Sequence, residues 1–214
     1  MLGRGQVSVA RFAGGRWKSN SYLLVGNEGD SVVIDAGDGV RELVEHVRQH
    51  GISPLAILCT HGHYDHVESA MYAKEALDVP VILHFADLAL FRAASLYRRL
   101  FEARAPVQMP TIETTVGDTN SFISLGSLSV EVICTPGHTE GSVCYLVGDS
   151  LFSGDTLLQH SAGRTDLPGG DPTRMAASLG VLGTLPHAVR IYPGHGAPVS
   201  LGDAIETART AQRP

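Results

Sequence analysis

The segment Thr60-His61-Gly62-His63-Tyr64-Asp65-His66 places three imidazoles and one carboxylate within six consecutive residues. Residues 55–59 before it form a short apolar run typical of a buried strand, and residues 67–77 after it have the pattern of a helix. The polar side chains therefore lie on a strand-to-helix turn. Imidazole and carboxylate groups suit zinc, iron or manganese. A metal would explain the crowding, and ligands that point in different directions indicate two ions.

Three later junctions repeat this arrangement of an apolar run, a glycine and one potential metal ligand. His138 follows a predicted strand at 128–134, Asp155 follows one at 150–152, and His195 follows one at 189–192. The glycines permit positive φ and allow the backbone to pass close to a bound ion. With the first segment, these junctions supply a set of five histidines and two aspartates: His61, His63, Asp65, His66, His138, Asp155 and His195.

This ordered set of motifs resembles the metallo-β-lactamase-fold superfamily, and the resemblance extends from Asn20-Ser-Tyr-Leu-Leu24 to Pro193-Gly-His-Gly196. It implies an α/β (α+β) fold, a four-layered αβ/βα sandwich of two mixed β-sheets flanked by helices, with the metals at one edge. It also implies the ligand sets: His61, His63 and His138 for one ion, Asp65, His66 and His195 for the other, and Asp155 as the bridge.

The loop that follows Asp155 contains Gly163-Arg-Thr-Asp166, which resembles the same loop in glyoxalase II-like hydrolases and in persulfide dioxygenases. We therefore predict a hydrolase with two divalent ions, zinc in preference to iron or manganese. In it, a metal-bridging hydroxide would attack the carbonyl carbon of a thioester such as an acyl-glutathione or an acyl carrier conjugate. Asp65 is the candidate catalytic residue that orients this nucleophile, in addition to its role as a ligand.

Four further residues are candidates for supporting roles. In the superfamily, the aspartate at the position of Asp35 orients a ligand histidine without binding the metal itself. An aspartate that caps a turn is an equally weighted alternative. His160, Arg164 and Tyr64 are candidate substrate contacts. Arg164 either pairs with Asp166 to fix the loop or meets a substrate carboxylate. Tyr64 either faces the substrate or packs beneath the metals.

Several alternatives remain open at this stage. A persulfide dioxygenase with a single iron would use fewer of the seven ligands, and its usual Pro-Ala-His differs from the Pro-Gly-His195 of this chain. Hydrolysis of a lactone or another ester would use the same water chemistry. A metal-free interaction module on the same fold would be expected to have lost ligands. Glyoxalase II also carries a C-terminal helical domain for glutathione, whereas this chain ends at residue 214.

Composition and charge limit the class of protein further. At 214 residues, the chain is expected to form one metallo-β-lactamase-like domain over residues 1–214. The net charge is −6 and no basic stripe is present, so we expect no nucleic-acid partner. There is no apolar run of membrane-span length and no signal-peptide pattern, which predicts a cytoplasmic enzyme acting on a small molecule. The three cysteines are expected to be reduced, and the oligomeric state is left undetermined.

The apolar patterns outline the elements that connect these motifs. Strands are predicted near residues 7–12, 21–25, 31–36, 79–83 and 143–147, besides those already named. Val40, Leu43, Val44 and Val47 have helical spacing. One or two helices are expected over 86–103, and a last helix begins near Leu201. Asp171-Pro172 is a helix start with an aspartate N-cap and proline at the first helical position.

Overall fold

The computed structural model describes residues 7–211, in which twelve strands form two six-stranded sheets. The first sheet takes its strands in chain order: β1 (Ser8–Gly14), β2 (Ser19–Val25), β3 (Ser31–Ile34), β4 (Pro54–Leu58), β5 (Val81–His84) and β6 (Thr114–Val116). Strands β1 to β3 pair antiparallel and β3 to β6 pair parallel, so this sheet is mixed.

The second sheet contains the remaining strands in the same sequential order: β7 (Ser121–Leu125), β8 (Leu128–Cys134), β9 (Val143–Val147), β10 (Ser150–Gly154), β11 (Arg190–Pro193) and β12 (Val199–Ser200). Only β10 and β11 pair parallel, so this sheet is mixed as well. Because β8 and β10 are both antiparallel to β9, the carboxyl ends of β8, β10 and β11 lie at one edge of the sheet.

In the described part of the chain, six α-helices accompany the strands: α1 (Val40–His50), α2 (Tyr64–Val67), α3 (Ala70–Leu77), α4 (Leu88–Glu102), α5 (Pro172–Leu182) and α6 (Leu201–Ala211). A single 3-10 turn, Phe85–Asp87, precedes α4. The predicted N-cap of α5 is confirmed, because the Asp171 carboxylate accepts hydrogen bonds from the backbone N–H groups of Thr173 and Arg174. None of the helices within residues 7–211 combines the length and the apolar character needed to cross a bilayer.

Alternating side chains of the strands build three apolar layers. In β2, Tyr22 and Leu24 face the second sheet and pack with Val130 and Tyr145, while Leu23 points to the other side and packs with Leu43 of α1. Helices α1 to α4 cover the outer face of the first sheet, and α5 and α6 cover the outer face of the second. The predicted fold, two mixed sheets face to face with helices outside, is confirmed.

The structure corrects several predicted boundaries. The helix predicted after His66 is two short helices, and Asp65 and His66 lie within the first of them instead of on the turn. The break follows from backbone pairing with Ala36, whose N–H donates to the carbonyl of His66 and whose carbonyl accepts from the N–H of Ser69. Strand β3 ends at Ile34 because Asp35 has a left-handed φ of 59°.

Three strands have no counterpart in the predicted pattern. Strands β6 and β12 are too short to show an alternation of apolar and polar residues. Strand β7 lies at the edge of its sheet and exposes Phe122, so its sequence lacks the pattern of a buried strand. Within the described residues all three cysteines are free thiols, as predicted; Cys59 and Cys144 are buried and Cys134 is half-buried.

Candidate metal centre

The first group of candidate ligands comes from two loops at the carboxyl ends of β4 and β8. His61, His63 and His138 each offer a ring nitrogen, and these atoms lie within 4.8 Å of one another. Nδ1 of His63 is 2.8 Å from Nε2 of His138. Two imidazoles can share one hydrogen bond at this distance, but three ring nitrogens that converge cannot all be paired with one another, so the arrangement is the one expected of a site that holds a cation.

The second group lies beside the first and combines α2 with the loop after β11. Asp65, His66 and His195 place their ligand atoms within 4.8 Å of one another. Nε2 of His195 is 3.4 Å from Oδ2 of Asp65 and 3.2 Å from Nε2 of His66. Two hydrogen bonds to backbone carbonyls connect the sheets here. The carbonyl of Gly194 accepts from the backbone N–H of Asn20, and the carbonyl of Pro193 accepts from the side-chain hydroxyl of Tyr22.

Asp155 lies between the two groups, at the carboxyl end of β10. Its Oδ2 is 3.5 Å from Nε2 of His138 in the first group and 3.4 Å from Nε2 of His195 in the second. Its Oδ1 is 3.5 Å from Nε2 of His66. One carboxylate therefore contacts both groups, which is the position that a bridging ligand would occupy.

Two buried atoms of the centre make no hydrogen bond to any residue that the structure describes. These atoms are Nε2 of His61 and Oδ1 of Asp155. A buried polar atom without a partner costs about 1–3 kcal/mol, so such atoms are rare in native proteins. A cation would satisfy both of them, and the mixed set of imidazoles and carboxylates has the donor chemistry of zinc, iron and manganese sites. The residues present therefore fit a binuclear metal centre.

Most of the histidines are oriented by a hydrogen bond at the ring nitrogen that faces away from the centre. Nδ1 of His66 lies 3.0 Å from Oδ2 of Asp35, and Nδ1 of His61 lies 3.0 Å from the hydroxyl of Thr60. Nδ1 of His138 and of His195 approach backbone carbonyls, those of Arg164 and Trp17, at 2.8 and 3.0 Å. Such contacts fix the ring orientation and the tautomer.

Asp35, predicted either to support a ligand or to cap a turn, is buried and contacts both ends of the ligand-bearing segment 60–66. Its Oδ2 contacts Nδ1 of His66, and its Oδ1 accepts a hydrogen bond from the backbone N–H of Thr60 at 2.7 Å. Its position next to the ring of a candidate ligand agrees with the first alternative. The left-handed backbone at Asp35 turns its side chain back under the segment that begins at Thr60.

Burial and charge affect the two groups in opposite ways. Burial holds the pKa of His61 well below its usual range and lowers that of His63 to about 3, and neighbouring imidazoles add to this effect. For His66, burial acts in the same direction, but the charges of Asp65 and Asp155 outweigh it and raise the pKa to about 9. Contacts with Asp155 and Asp65 likewise overcome burial at His195 and raise its pKa to about 11.

Asp87, in the 3-10 turn before α4, is a buried carboxylate that was not among the predicted site residues. Its Oδ2 accepts from the backbone N–H of Gly62 and from the hydroxyl of Thr139, and its Oδ1 accepts from the N–H of Gly141, each at 2.7 Å. It therefore joins the loop of His61 and His63 to the loop of His138. An aspartate inside a predicted helical segment carries no sequence signal for such a role.

A cavity of about 560 Å³ opens onto the centre. It is lined by candidate ligands and by mostly apolar residues from α2, α4, the β1–β2 turn and the loop after Asp155: Trp17, His63, Tyr64, Asp65, Leu90, Tyr97, Phe101, His138, Asp155, Leu158, Ser161, Ala162, Gly163, Arg164, Leu167, Pro168 and His195. Trp17 was missed in the sequence, although a large apolar ring in the polar stretch Gly14-Gly-Arg-Trp-Lys18 is an available signal.

The candidate substrate contacts have different positions. Tyr64 lines the cavity, which agrees with the first of its two predicted positions. Arg164 also lines it and forms the predicted pair with Asp166, with two nitrogen–oxygen distances of 2.7 Å. His160 is exposed and does not line the cavity, so the structure does not support a substrate contact at this residue.

Two arginines at the end of α4 and just beyond it are paired with acidic residues of the protein. Arg98 is buried and forms an ion pair with Glu68, and Arg104 contacts Glu68 and Glu102 at 3.3 Å. Their charges are therefore used within the protein, where they attach the end of α4 to the segment after α2. Tyr97, by contrast, lines the cavity.

Comparisons with known proteins agree with this geometry. The sequence profile of the metallo-β-lactamase superfamily matches residues 14–195. The probable metallo-hydrolase YqgX of Bacillus subtilis is 35% identical over 188 residues, which cover 84% of this chain and 85% of YqgX.

Two solved structures are similar over nearly the whole of both chains. The BLEG-1 B3 metallo-β-lactamase has a TM-score of 0.88 at 28% identity and covers 96% of this chain and 100% of its own. TTHA1623, solved in a di-iron-bound form, has a TM-score of 0.83 at 37% identity and covers 94% of this chain and 99% of its own. With its two mixed sheets and its cluster of histidines and aspartates at their shared edge, the chain belongs to the metallo-β-lactamase superfamily.

Proposed function

We propose that this protein is a binuclear metallohydrolase of the glyoxalase II-like branch that cleaves thioesters. The observation that carries the binuclear assignment is the position of Asp155, whose carboxylate contacts a candidate ligand of each group within 3.5 Å. His61, His63 and His138 would hold one ion, Asp65, His66 and His195 the other, and Asp155 both. Zinc is our first assignment, and the di-iron form of TTHA1623 supports iron as the alternative.

Divalent ions bound at this centre would supply a water activated near neutral pH and would polarise the substrate carbonyl. The protein's own contribution is positional. Asp65 lines the cavity with Oδ2 3.4 Å from Nε2 of His195, so its second oxygen is available to orient the attacking water. A thiolate leaves more readily than an amine, so cleavage needs no strong general acid. The Gly163-Arg-Thr-Asp166 loop supports assignment to the glyoxalase II-like branch.

Metal content and thioester hydrolysis, measured together on wild type and on Asp155→Asn, test the proposal. We expect about two metals per wild-type chain and hydrolysis of at least one thioester in a panel that varies both acyl group and thiol. Asp155→Asn should lose at least one metal and at least about a hundredfold in activity, because a neutral amide bridges two cations poorly.

Asp149→Asn is the matched control, since Asp149 is an exposed aspartate on the turn that precedes β10. It should leave both readouts unchanged. A single iron per chain with oxygen consumption on persulfides would replace the proposal by dioxygenase chemistry. Full activity of Asp155→Asn would exclude the bridging role.

Hydrolysis of β-lactams is a second candidate, favoured by the similarity to the BLEG-1 B3 metallo-β-lactamase. A β-lactam amide is cleaved by the same nucleophile, and the cavity opens directly onto the candidate ligands. A chromogenic cephalosporin assayed beside the thioesters separates the two reactions. Turnover of the cephalosporin at a higher kcat/KM than that of every thioester would favour this second function.

A further inference from the structure

Four aromatic residues form one continuous side of the cavity, which we call the aromatic wall: Trp17, Tyr64, Tyr97 and Phe101. The rings of Tyr97 and Phe101 are nearly parallel, with centroids 6.1 Å apart and an interplanar angle of 13°. Phe101 and Tyr64 are again 6.1 Å apart at 15°. Tyr64 lies between the candidate ligands His63 and Asp65 in the sequence, so the wall leads from the surface to the metal centre.

The polar atoms of the wall nearest the centre are already paired with protein groups. Nε1 of Trp17 donates to the hydroxyl of Tyr64, and that hydroxyl donates to Oε1 of Glu102 at 3.1 Å. These two residues therefore leave few hydrogen-bonding groups for a ligand. Trp17 and Phe101 are each 50% exposed, and together with Tyr64 and Tyr97 they form a contiguous apolar surface of the kind that marks a binding site.

The rest of the cavity has the same character. The loop after Asp155 adds Leu158, Leu167 and Pro168, and α4 adds Leu90. Apart from the histidines of the centre, Arg164 has the only basic side chain among the described residues that line the cavity. Its Nε and Nη2 atoms both donate to the carboxylate of Asp166. No uncommitted cation is therefore present in this lining to bind the carboxylates of glutathione or the phosphates of an acyl carrier.

We propose that the substrate is a thioester with an uncharged, apolar acyl group, aliphatic or aromatic, which lies along the aromatic wall while its carbonyl reaches the metal centre. This inference rests on the proposed function and specifies its substrate class. The wall would bind the acyl group by apolar burial and ring contact. Selection among substrates would then follow the size of the acyl group, and the identity of the thiol would matter little.

The chain offers a binding signal that does not depend on turnover, because Trp17 is its single tryptophan. We would titrate the zinc-loaded protein with S-(2-oxoalkyl)-N-acetylcysteamines, in which a methylene group between sulfur and carbonyl prevents hydrolysis. Their chains would run from acetyl to octanoyl length. Intrinsic fluorescence should change on binding, and affinity should rise about two- to fourfold with each added methylene until the wall is covered.

Phe101→Ala should weaken binding of the longest analogue about tenfold and reduce the dependence on chain length, because it removes the central ring of the wall. Phe122→Ala is the matched control, since Phe122 is a 69% exposed phenylalanine on β7 and does not line the cavity. It should behave as wild type. Phe101 is half-exposed, so its truncation should leave the melting temperature within a few degrees of wild type, as the same samples can show.

The outcomes separate this inference from the proposed function. Chain-length-dependent binding without hydrolysis of any thioester would retain the apolar pocket and overturn thioester hydrolysis. Hydrolysis with equal affinity for all chain lengths, or a preference for S-alkyl glutathione, would retain the hydrolase and overturn the pocket. A wild-type dimer that Phe101→Ala converts to a monomer, with analogue binding unchanged, would also overturn it. The wall would then be a contact between two copies.

Discussion

Gly194, which precedes the candidate ligand His195, is in contact with the other residues of the centre. A Cβ atom at this position would lie 2.1 Å from Oδ1 of Asp155 and 2.7 Å from Cε1 of His66. We therefore expect Gly194→Ala to displace the carboxylate, to lower metal content below two per chain and to reduce hydrolysis at least about tenfold. Metal analysis of the purified variant gives the first of these quantities directly.

Gly180→Ala is the control for that substitution. Gly180 is an exposed position inside α5, and a Cβ there would meet no atom within 4 Å. Alanine in a helix interior is about 0.5–1 kcal/mol more stable than glycine, so this variant should unfold at a higher temperature with normal metal content. Normal metal content in Gly194→Ala would show that the centre has more room than the structure indicates.

The protonation of the candidate ligands also predicts how metal affinity depends on pH. Asp65 and Asp155 raise the pKa of His66 to about 9 and that of His195 to about 11, so the metal-free centre holds protons at neutral pH that metal binding must displace. Affinity should therefore fall as the pH is lowered through the neutral range. Calorimetry in buffers with different ionisation enthalpies should show that metal binding releases protons at pH 7. Binding without proton release would contradict the raised pKa values.

At the scale of elements, Asp87 connects loops that follow different sheets. Replacement by alanine leaves the N–H groups of Gly62 and Gly141 and the hydroxyl of Thr139 without their buried acceptor. We expect the free energy of unfolding to fall by about 3 kcal/mol, with weaker metal binding because the loops lose their common support. Chemical denaturation measures the first effect and competition with a chelator the second.

An exposed acidic residue provides the comparison for Asp87→Ala. Glu28 lies on the turn between β2 and β3, where its side chain is in solvent. Glu28→Ala should change the free energy of unfolding by no more than about 0.5 kcal/mol. Equal stability of the two variants would mean that Asp87 does not hold the loops together.

For the whole molecule, metal binding should contribute to stability because the ligands come from both sheets. Metal at about a hundred times its dissociation constant would add about 2.7 kcal/mol. For a chain of this size that corresponds to a rise in melting temperature of roughly 5–10 °C. Thermal unfolding with and without a chelator measures this rise, which Asp155→Asn should largely abolish. A wild-type melting temperature that does not respond to metal or chelator would contradict a bound metal.

The architecture could be predicted from the sequence because each motif that indicates it lies within a short stretch of the chain. Each candidate ligand stands directly after an apolar run, and strands β4, β8 and β11 lie within one or two residues of their predicted positions. Strands β6 and β12 are too short to show a period, and β6 pairs with β5, from which the whole of α4 separates it in the sequence. The division of the helix after His66 depends on hydrogen bonds to Ala36, which no local pattern records.

The same contrast applies to the candidate site. Residue type and order alone determined which side chains could bind metal, because chemistry that needs imidazole and carboxylate at strand ends leaves a pattern in the sequence. The family resemblance already implied that Asp155 bridges the two groups. Only the tertiary structure decided that Asp87 joins their loops and that Trp17 completes an aromatic wall with α4. These juxtapositions join residues as far apart in the sequence as Trp17 and Phe101, and burial and hydrogen bonding select them only when the chain has folded.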